Sequence, residues 1–308
     1  MLGDSGTRRR RGVFLLFALG LPMSGLLGGY LLCLRYWAVD DDIRKFTPPG
    51  GTLIIGGGGV PEDVYNHFVR LAGGKDARLV VIPSYEPSSD ELTDLQKRWR
   101  AYRVASVDIL HAGSREAVEN PQFVKPLSTA TGVWITGGLQ TYVAERYVDT
   151  EVERQLKAVL DRNGVIGGTS AGAAIMTRVM IGSGRDEAVE ERGFDLLPNA
   201  VVDQHFLRRN RIQRLLGVLR LHPGLVGLGI DECTAVMVQR NGRTWTALGE
   251  SYAVICLPQK DKDFPRIEIL KPGDHTDIDI LKESPGTLAI SSPADLDRYL
   301  ESSSDTSE

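Results

Sequence analysis

The stretch GVIGGTSAGAAIM, Gly164 to Met176, sets Ser170 in a run of residues with almost no side chain. Within it, Gly168-Thr169-Ser170-Ala171-Gly172 matches G-x-S-x-G. An apolar strand-like run precedes the serine and a helical pattern comes after it. A strand-to-helix turn of that kind is sharp, and bulky neighbours would collide. The glycines permit the turn and leave the hydroxyl exposed. The Ala171 N–H, opening the helix, would then face an oxyanion. A plain small-residue turn would look the same, so the decision passes to the rest of the chain.

Outward from Ser170, apolar runs alternate with helical patterns. Thr52–Ile55 runs into GGGG, and Pro61 opens a helix reaching about Leu71. ARLVVIP reads as a second strand, residues 90–102 as a helix, VDIL as a third strand and GVWIT (Gly132–Thr136) as a fourth. Thr150 and Glu153 have the spacing of a capping box for a helix that stops near Gly164. Strands alternating with helices imply a parallel sheet covered on both faces. After about residue 226 the pattern changes to short strands: GLVGLGI, TAVMVQ, TWTALG and YAVICL. Asn241-Gly242 marks a hairpin turn. These strands are expected to extend one edge of the same sheet. GGGGVPED comes after a strand and before a helix, where dinucleotides bind. It lacks GxGxxG spacing, and a tight strand-to-helix turn needs glycine in any case.

The chain has 308 residues, 42% hydrophobic and 25% charged, which suits an ordinary globular protein rather than a disordered one. A net charge of −4, with no basic block beyond the N-terminus, speaks against nucleic-acid binding. The three cysteines, Cys33, Cys233 and Cys256, form no CxxC pair, which speaks against a zinc or thioredoxin-like site. Cys233 and Cys256 could pair in an exported domain; buried free thiols are the plainer reading. Arg8–Arg11 precede an uncharged run from Gly12 to Leu34, long enough to cross a bilayer as a helix. The arginines would hold the N-terminus in the cytoplasm and send the rest of the chain to the other side of the membrane. We read this run as an uncleaved membrane anchor, with a cleaved signal as the alternative. The expected division is a basic cytoplasmic segment 1–11, an anchor 12–34, a linker 35–50, an α/β hydrolase domain 51–300 and a disordered tail 301–308.

A nucleophilic serine needs a base. Of the five histidines, His205 alone lies in a stretch dense with polar groups, DQHFLRRNRIQRLL. An acid should orient its imidazole. GLGIDECTAV puts Asp231 and Glu232 at the end of an apolar strand, where a carboxylate is costly unless paired. Asp203 is the alternative nearer in sequence. Asn210 and Gln213 could cap a helix after the histidine, leaving Arg209 in the loop beside it.

GGTSAGA, DQHFLRRNRIQRLL and GLGIDECTA, with TGGLQ upstream, resemble the cyanophycinase branch of the peptidase S51 family, which includes aspartyl dipeptidases. The resemblance runs from about Gly50 to Leu257. It implies a doubly wound, mostly parallel α/β sheet of class I glutamine-amidotransferase-like type, with antiparallel C-terminal strands. It implies a Ser-His-Glu triad of Ser170, His205 and Glu232. Gly138 and Ala171 would supply oxyanion N–H groups, with Gln140 beside them, and Arg209, Arg211 and Arg214 would read substrate. Leu139 departs from a position often polar in that branch, and Arg208 adds an unmatched charge. The implied activity is hydrolysis of aspartate-containing peptides, with cyanophycin or aspartyl dipeptides as substrates. No metal or cofactor is implied. A homodimer is a candidate assembly. The rival readings are a binding protein on a degenerate hydrolase fold, which should have lost a triad residue, and a nucleotide-binding protein using GGGG.

Overall fold

The computed structural model describes residues 50–239, 242–259, 265–283 and 298. The elements run β1 (Thr52–Gly56), α1 (Glu62–Leu71), β2 (Arg78–Ser84), α2 (Ser89–Arg100), β3 (Ser106–Ile109), α3 (Lys125–Thr129), β4 (Gly132–Gly138), α4 (Gln140–Tyr147), α5 (Glu151–Asp161), β5 (Val165–Thr169), α6 (Ala171–Ala174), β6 (Val179–Ser183), β7 (Val189–Arg192), β8 (Ala200–Gln204), α7 (Ile212–Leu221), β9 (Val226–Ile230), β10 (Thr234–Gln239), β11 (Thr244–Gly249), β12 (Ala253–Leu257), β13 (Arg266–Leu270), β14 (His275–Asp277) and α8 (Ile278–Glu283).

The main sheet has eight strands in the order β14-β11-β10-β1-β5-β4-β2-β3. The five from β1 to β3 along this order are parallel, and β10, β11 and β14 add antiparallel strands at one edge. β1 is buried along its whole length, and β5 up to its last residue. That is why they read as unbroken apolar runs rather than alternating ones: both faces of a central parallel strand are covered. The fold class is the one expected from the sequence.

One expectation is corrected. TAVMVQ and TWTALG do extend the main sheet, as β10 and β11. GLVGLGI and YAVICL do not; as β9 and β12 they belong to a second sheet, β13-β12-β9-β8. The reason is a second βαβ unit. β8 lies parallel to β9, and parallel neighbours need a crossover, here α7. The chain then steps from β9 in one sheet to β10 in the other through Asp231–Cys233. Among the described residues β6 and β7 pair only with each other, as a ribbon.

Local capping also differs. Thr150 caps α5 through Val152 N–H (3.2 Å), and Glu153 accepts from Asp149 N–H (2.9 Å), one residue outside the expected box. The reciprocal box occurs instead at α2, where Ser88 and Glu91 bond each other's backbone N–H (3.3 and 2.8 Å). α7 starts after Arg211 with no side-chain cap, and Asn210 sits in the left-handed region at φ 47°. Asn210 and Gln213 therefore do not cap it.

The expectation of a membrane-spanning helix finds no support in the described residues. Among the described residues no helix is long and apolar enough to cross a membrane. The longest of them, α2, has 12 residues against the roughly 20 a bilayer requires. The segments 1–11, 12–34 and 301–308, the linker up to residue 49, Cys33 and Asn241 lie outside the described residues. Cys233 and Cys256 are both free, and full burial pushes the Cys256 thiol up to about 12.

Candidate active site

Ser170 leaves β5 at φ 54° and ψ −110°. A non-glycine residue held there stores on the order of 1–3 kcal/mol of backbone strain, so its surroundings must over-determine it. They do. Its N–H donates to Gly56 O (2.9 Å), and its carbonyl accepts from Ala173 and Ala174 (3.0 Å each). The motif glycines are required by close approach. A Cβ on Gly168 would lie 2.4 Å from Gly172 O, and one on Gly172 would lie 2.1 Å from Ile135 O. Serine is thus held on a single tight turn between two parallel-strand neighbours, with its hydroxyl outward at their carboxyl edge, where doubly wound sheets form sites.

His205 comes directly after β8 and has a positive φ of 51°. Its N–H donates to Gly57 O (3.0 Å). Its Nε2 lies 2.8 Å from Ser170 Oγ, and its Nδ1 lies 3.0 Å from Glu232 Oε1. These contacts assign the tautomer: Nδ1–H donates to the carboxylate, and Nε2 is left to accept from the hydroxyl. The GGGG loop explains how the ring gets there. A Cβ on Gly58 would fall 2.3 Å from the imidazole Cε1, so this loop is bare backbone against which the ring lies. Gly57 N–H donates to Thr234 O (2.9 Å) and Gly58 O accepts from Cys233 N–H (2.8 Å), which ties the same loop to the turn carrying Glu232. The glycines that suggested a dinucleotide hold the histidine and its acid in place. Sequence reading missed this role, although the lack of GxGxxG spacing signalled it.

The three candidate carboxylates differ in what each one bonds. Asp231 accepts from Arg208 N–H (2.9 Å) and Ser251 Oγ–H (3.0 Å), fixing the loop after His205. Asp203 is fully buried and paired through both oxygens with Arg214. Glu232 alone of the three hydrogen-bonds the imidazole.

Burial pushes the His205 pKa below the ordinary histidine value, and the Arg209 and Arg211 charges push it the same way, against Glu232. The imidazole is therefore neutral at pH 7 and able to accept a proton. If His205 is the base, activity is present above its pKa and is lost as pH falls through it. The acid limb of kcat/KM should then have its midpoint below about 6.5, the unperturbed value. Arg209→Gln removes one repelling cation and should move that midpoint upward. A pH–rate profile of the two proteins checks both points.

The remaining expected residues divide between the site and its supports. Gly138, at φ 150°, packs on Ser84 O, which a Cβ would approach to 2.4 Å. Its neighbour Gly137 lies beside Ser170, and Ala171 is the next residue after that serine. The Gln140 side-chain amide donates to the carbonyls of Ile181 and Gly182 in the ribbon (3.0 and 2.7 Å). Arg209 is exposed on the loop beside His205. Arg211 is mostly buried, donates to Gln204 O (2.6 Å) and Gln204 Oε1 (3.2 Å), and has its pKa drawn down to about 10 by burial. Arg214, expected to read substrate, is buried on Asp203 and donates to Gly184 O; the three arginines do not form one substrate-reading cluster. Among the described residues no group of three or more His, Cys, Asp or Glu side chains is placed to hold a metal. A cavity of about 500 Å³ lined by Arg115, Val118, Val124, Thr150 and Arg154 shares no residue with this constellation.

An elbow serine, hydrogen-bonded to a neutral imidazole that a carboxylate orients, on a doubly wound sheet, defines a hydrolase of the serine class. Comparison narrows this: the chain belongs to peptidase family S51, whose family model matches residues 52–245. It is a serine-type peptidase of cyanophycinase type. A cyanophycinase of Synechococcus elongatus is 35% identical over 221 residues, covering 67% of this chain and 68% of that one. A cyanophycinase of Geminocystis herdmanii is 31% identical over 204 residues, 61% of this chain and 74% of the relative. The solved structure of a peptidase from an acI-B1 actinobacterium shares the fold, with a TM-score of 0.57 at 20% identity over 74% of this chain and 97% of that one.

Proposed function

We propose that this peptidase cleaves aspartate-linked peptides through an acyl-enzyme on Ser170. The observation carrying the reading is the hydrogen-bond chain from Ser170 Oγ through His205 to Glu232. His205 Nε2 takes the hydroxyl proton as Oγ attacks the scissile carbonyl. The resulting imidazolium hands that proton to the leaving amine, and Glu232 offsets its charge. Water, deprotonated by the same histidine, then releases the acyl group. The Ala171 N–H and an N–H of the Gly137–Gly138 turn would stabilise the oxyanion. By similarity to the cyanophycinases, the proposed substrate is cyanophycin, with an aspartate backbone and arginine branches, cut to β-Asp-Arg dipeptides. Mass spectrometry of products after incubation with cyanophycin and a panel of Asp-X dipeptides tests this. Dipeptide release from cyanophycin supports it, and turnover of the free dipeptides alone would redirect it to an aspartyl dipeptidase.

The role of Glu232 yields a separate expectation. Its side chain is 39% exposed, so solvent shares the work of stabilising the imidazolium. Glu232→Gln should lower kcat by about 10- to 100-fold, toward the small end for a general-base system, with KM nearly constant. A rise in KM at unchanged kcat would make Glu232 a substrate contact instead.

A further inference from the structure

His205 and Glu232 come from two different connections, the loop after β8 and the turn from β9 to β10. Main-chain bonds hold the inner side of each. His205 N–H donates to Gly57 O (3.0 Å), Phe206 N–H to Ile230 O (3.1 Å) and Cys233 N–H to Gly58 O (2.8 Å). After Phe206 the base loop turns outward, and Arg208, Arg209 and Asn210 are exposed. Arg209 N–H donates to His205 O (3.1 Å), Asn210 N–H to Leu207 O (3.0 Å) and Arg211 N–H to Phe206 O (2.9 Å). Bonds inside a turn fix its shape. Its place relative to the rest of the fold needs a bond to another element.

Asp231, the residue before the acid, supplies that bond. Its Oδ1 accepts from Arg208 N–H (2.9 Å), and its Oδ2 accepts from Ser251 Oγ–H (3.0 Å) in the β11–β12 connection. Ser251 is anchored in turn. Its N–H donates to Thr234 Oγ1 (2.9 Å), and the buried Thr234 hydroxyl donates to Glu232 O (3.2 Å). With its two oxygens bonded in different directions, the carboxylate has a fixed orientation. It joins the outward part of the base loop to the turn carrying the acid. The loop so placed bears Arg209. Burial first, and then the Arg209 charge ahead of that of Arg211, hold the His205 pKa down against Glu232.

We infer that Asp231 is a positioning residue: by clamping Arg208 N–H to Ser251, it keeps the Arg209 guanidinium beside the His205 imidazole. It acts through two hydrogen bonds and not through its charge. An amide supplies the same two, with Oδ1 accepting from Arg208 N–H and Nδ2 donating to Ser251 Oγ. The signs separate the two effects. Loss of the Asp231 charge alone takes an anion away from the imidazole and lowers its pKa. Departure of Arg209 takes a cation away and raises it. The inference rests on the proposed roles of Ser170, His205 and Glu232, and it gives the second carboxylate of GLGIDECTA a task of its own.

The test is the rate at which a fluorophosphonate labels Ser170 in the full chain, measured across pH, since this reagent carries no aspartyl group for Arg209 to bind. Labelling follows the neutral fraction of His205 and falls on the acid side. Asp231→Ala should move the midpoint upward, so that labelling on the acid limb, relative to the high-pH plateau, falls at least about threefold. Asp231→Asn should keep the wild-type midpoint or lower it. Arg209→Gln should move it upward as Asp231→Ala does, and the double variant should move it no further than Arg209→Gln alone. An unmoved midpoint in Asp231→Ala overturns the inference, as does an upward shift of the same size in Asp231→Asn. Additive shifts in the double variant overturn it too, leaving Asp231 as a general support of the fold. Should Asp231→Ala fail to fold, Ser251→Ala removes one of the two anchors and carries the comparison. There the midpoint should rise by a smaller amount, and no rise overturns the inference. Wild type that hydrolyses peptides but is not labelled at Ser170 overturns the serine mechanism itself, and the positioning role with it.

Discussion

Ser170→Ala should reduce kcat by at least about 10³-fold, the loss expected when the attacking atom is removed but oxyanion donors and binding contacts remain. The substitution deletes one oxygen, that of a half-buried hydroxyl bonded to His205, and leaves the elbow intact. The strained φ is enforced by the Gly56 O contact and by the Ala173 and Ala174 N–H groups, none of which involves the side chain. Folding should therefore be unaffected, and substrate should still bind with a near-normal dissociation constant. Chelators should leave wild-type activity in place. Active-site titration with a serine-directed acylating reagent should label wild type at Ser170 and not the variant. A Ser170→Ala protein retaining most of its turnover would end the serine mechanism.

How much of this site was legible depends on which interactions are local. The elbow was legible because its requirement is steric and confined to five residues: Gly168 and Gly172 must be bare so that backbone can approach them. The parallel core was legible because β1 and β5 are buried on both faces and so lose the alternation of a half-exposed strand. The second sheet was not. β9 and β12 have the composition of any buried strand, and nothing in a short apolar run says which neighbour it will pair with. The role of Gly58 was hidden for a related reason, since the group requiring it, the His205 ring, is far away along the chain. Family resemblance pointed to the Ser170, His205 and Glu232 group. Local spacing alone left Asp203, Asp231 and Glu232 as equal candidates, and only the partners of each carboxylate separate them.

The same distinction governs the arginines. Read along the chain, Arg209, Arg211 and Arg214 are three cations after a histidine. In three dimensions Arg214 is 3% exposed and Asp203 is 0% exposed. Arg214 Nε donates to Asp203 Oδ2 at 2.9 Å, its NH2 donates to the other oxygen, and its NH1 reaches Gly184 O at the ribbon. Arg211 stands farther off, its NH1 3.5 Å from Asp203 Oδ1, so removing Arg214 leaves the buried carboxylate without its paired hydrogen bonds and with only that longer ionic contact. Arg214→Ala should therefore destabilise the fold by about 3–5 kcal/mol. For a domain of this size that is a fall in Tm on the order of 6–20 °C. Asp203→Asn should behave similarly, because it leaves the guanidinium buried without a matching charge. The double replacement Asp203→Leu with Arg214→Met removes both charges of the pair at once and should cost less than the two single changes added together, with Arg211 alone losing its longer contact to Asp203. Urea unfolding of the four proteins measures this coupling directly. A substrate-reading Arg214 would behave differently: its alanine variant would keep wild-type stability and raise KM on aspartate-linked peptides. Wild-type stability in Arg214→Ala would thus return the residue to the substrate site, whereas a large loss with strong coupling to Asp203 assigns it to holding β8, and with it His205, at the required place beside Ser170.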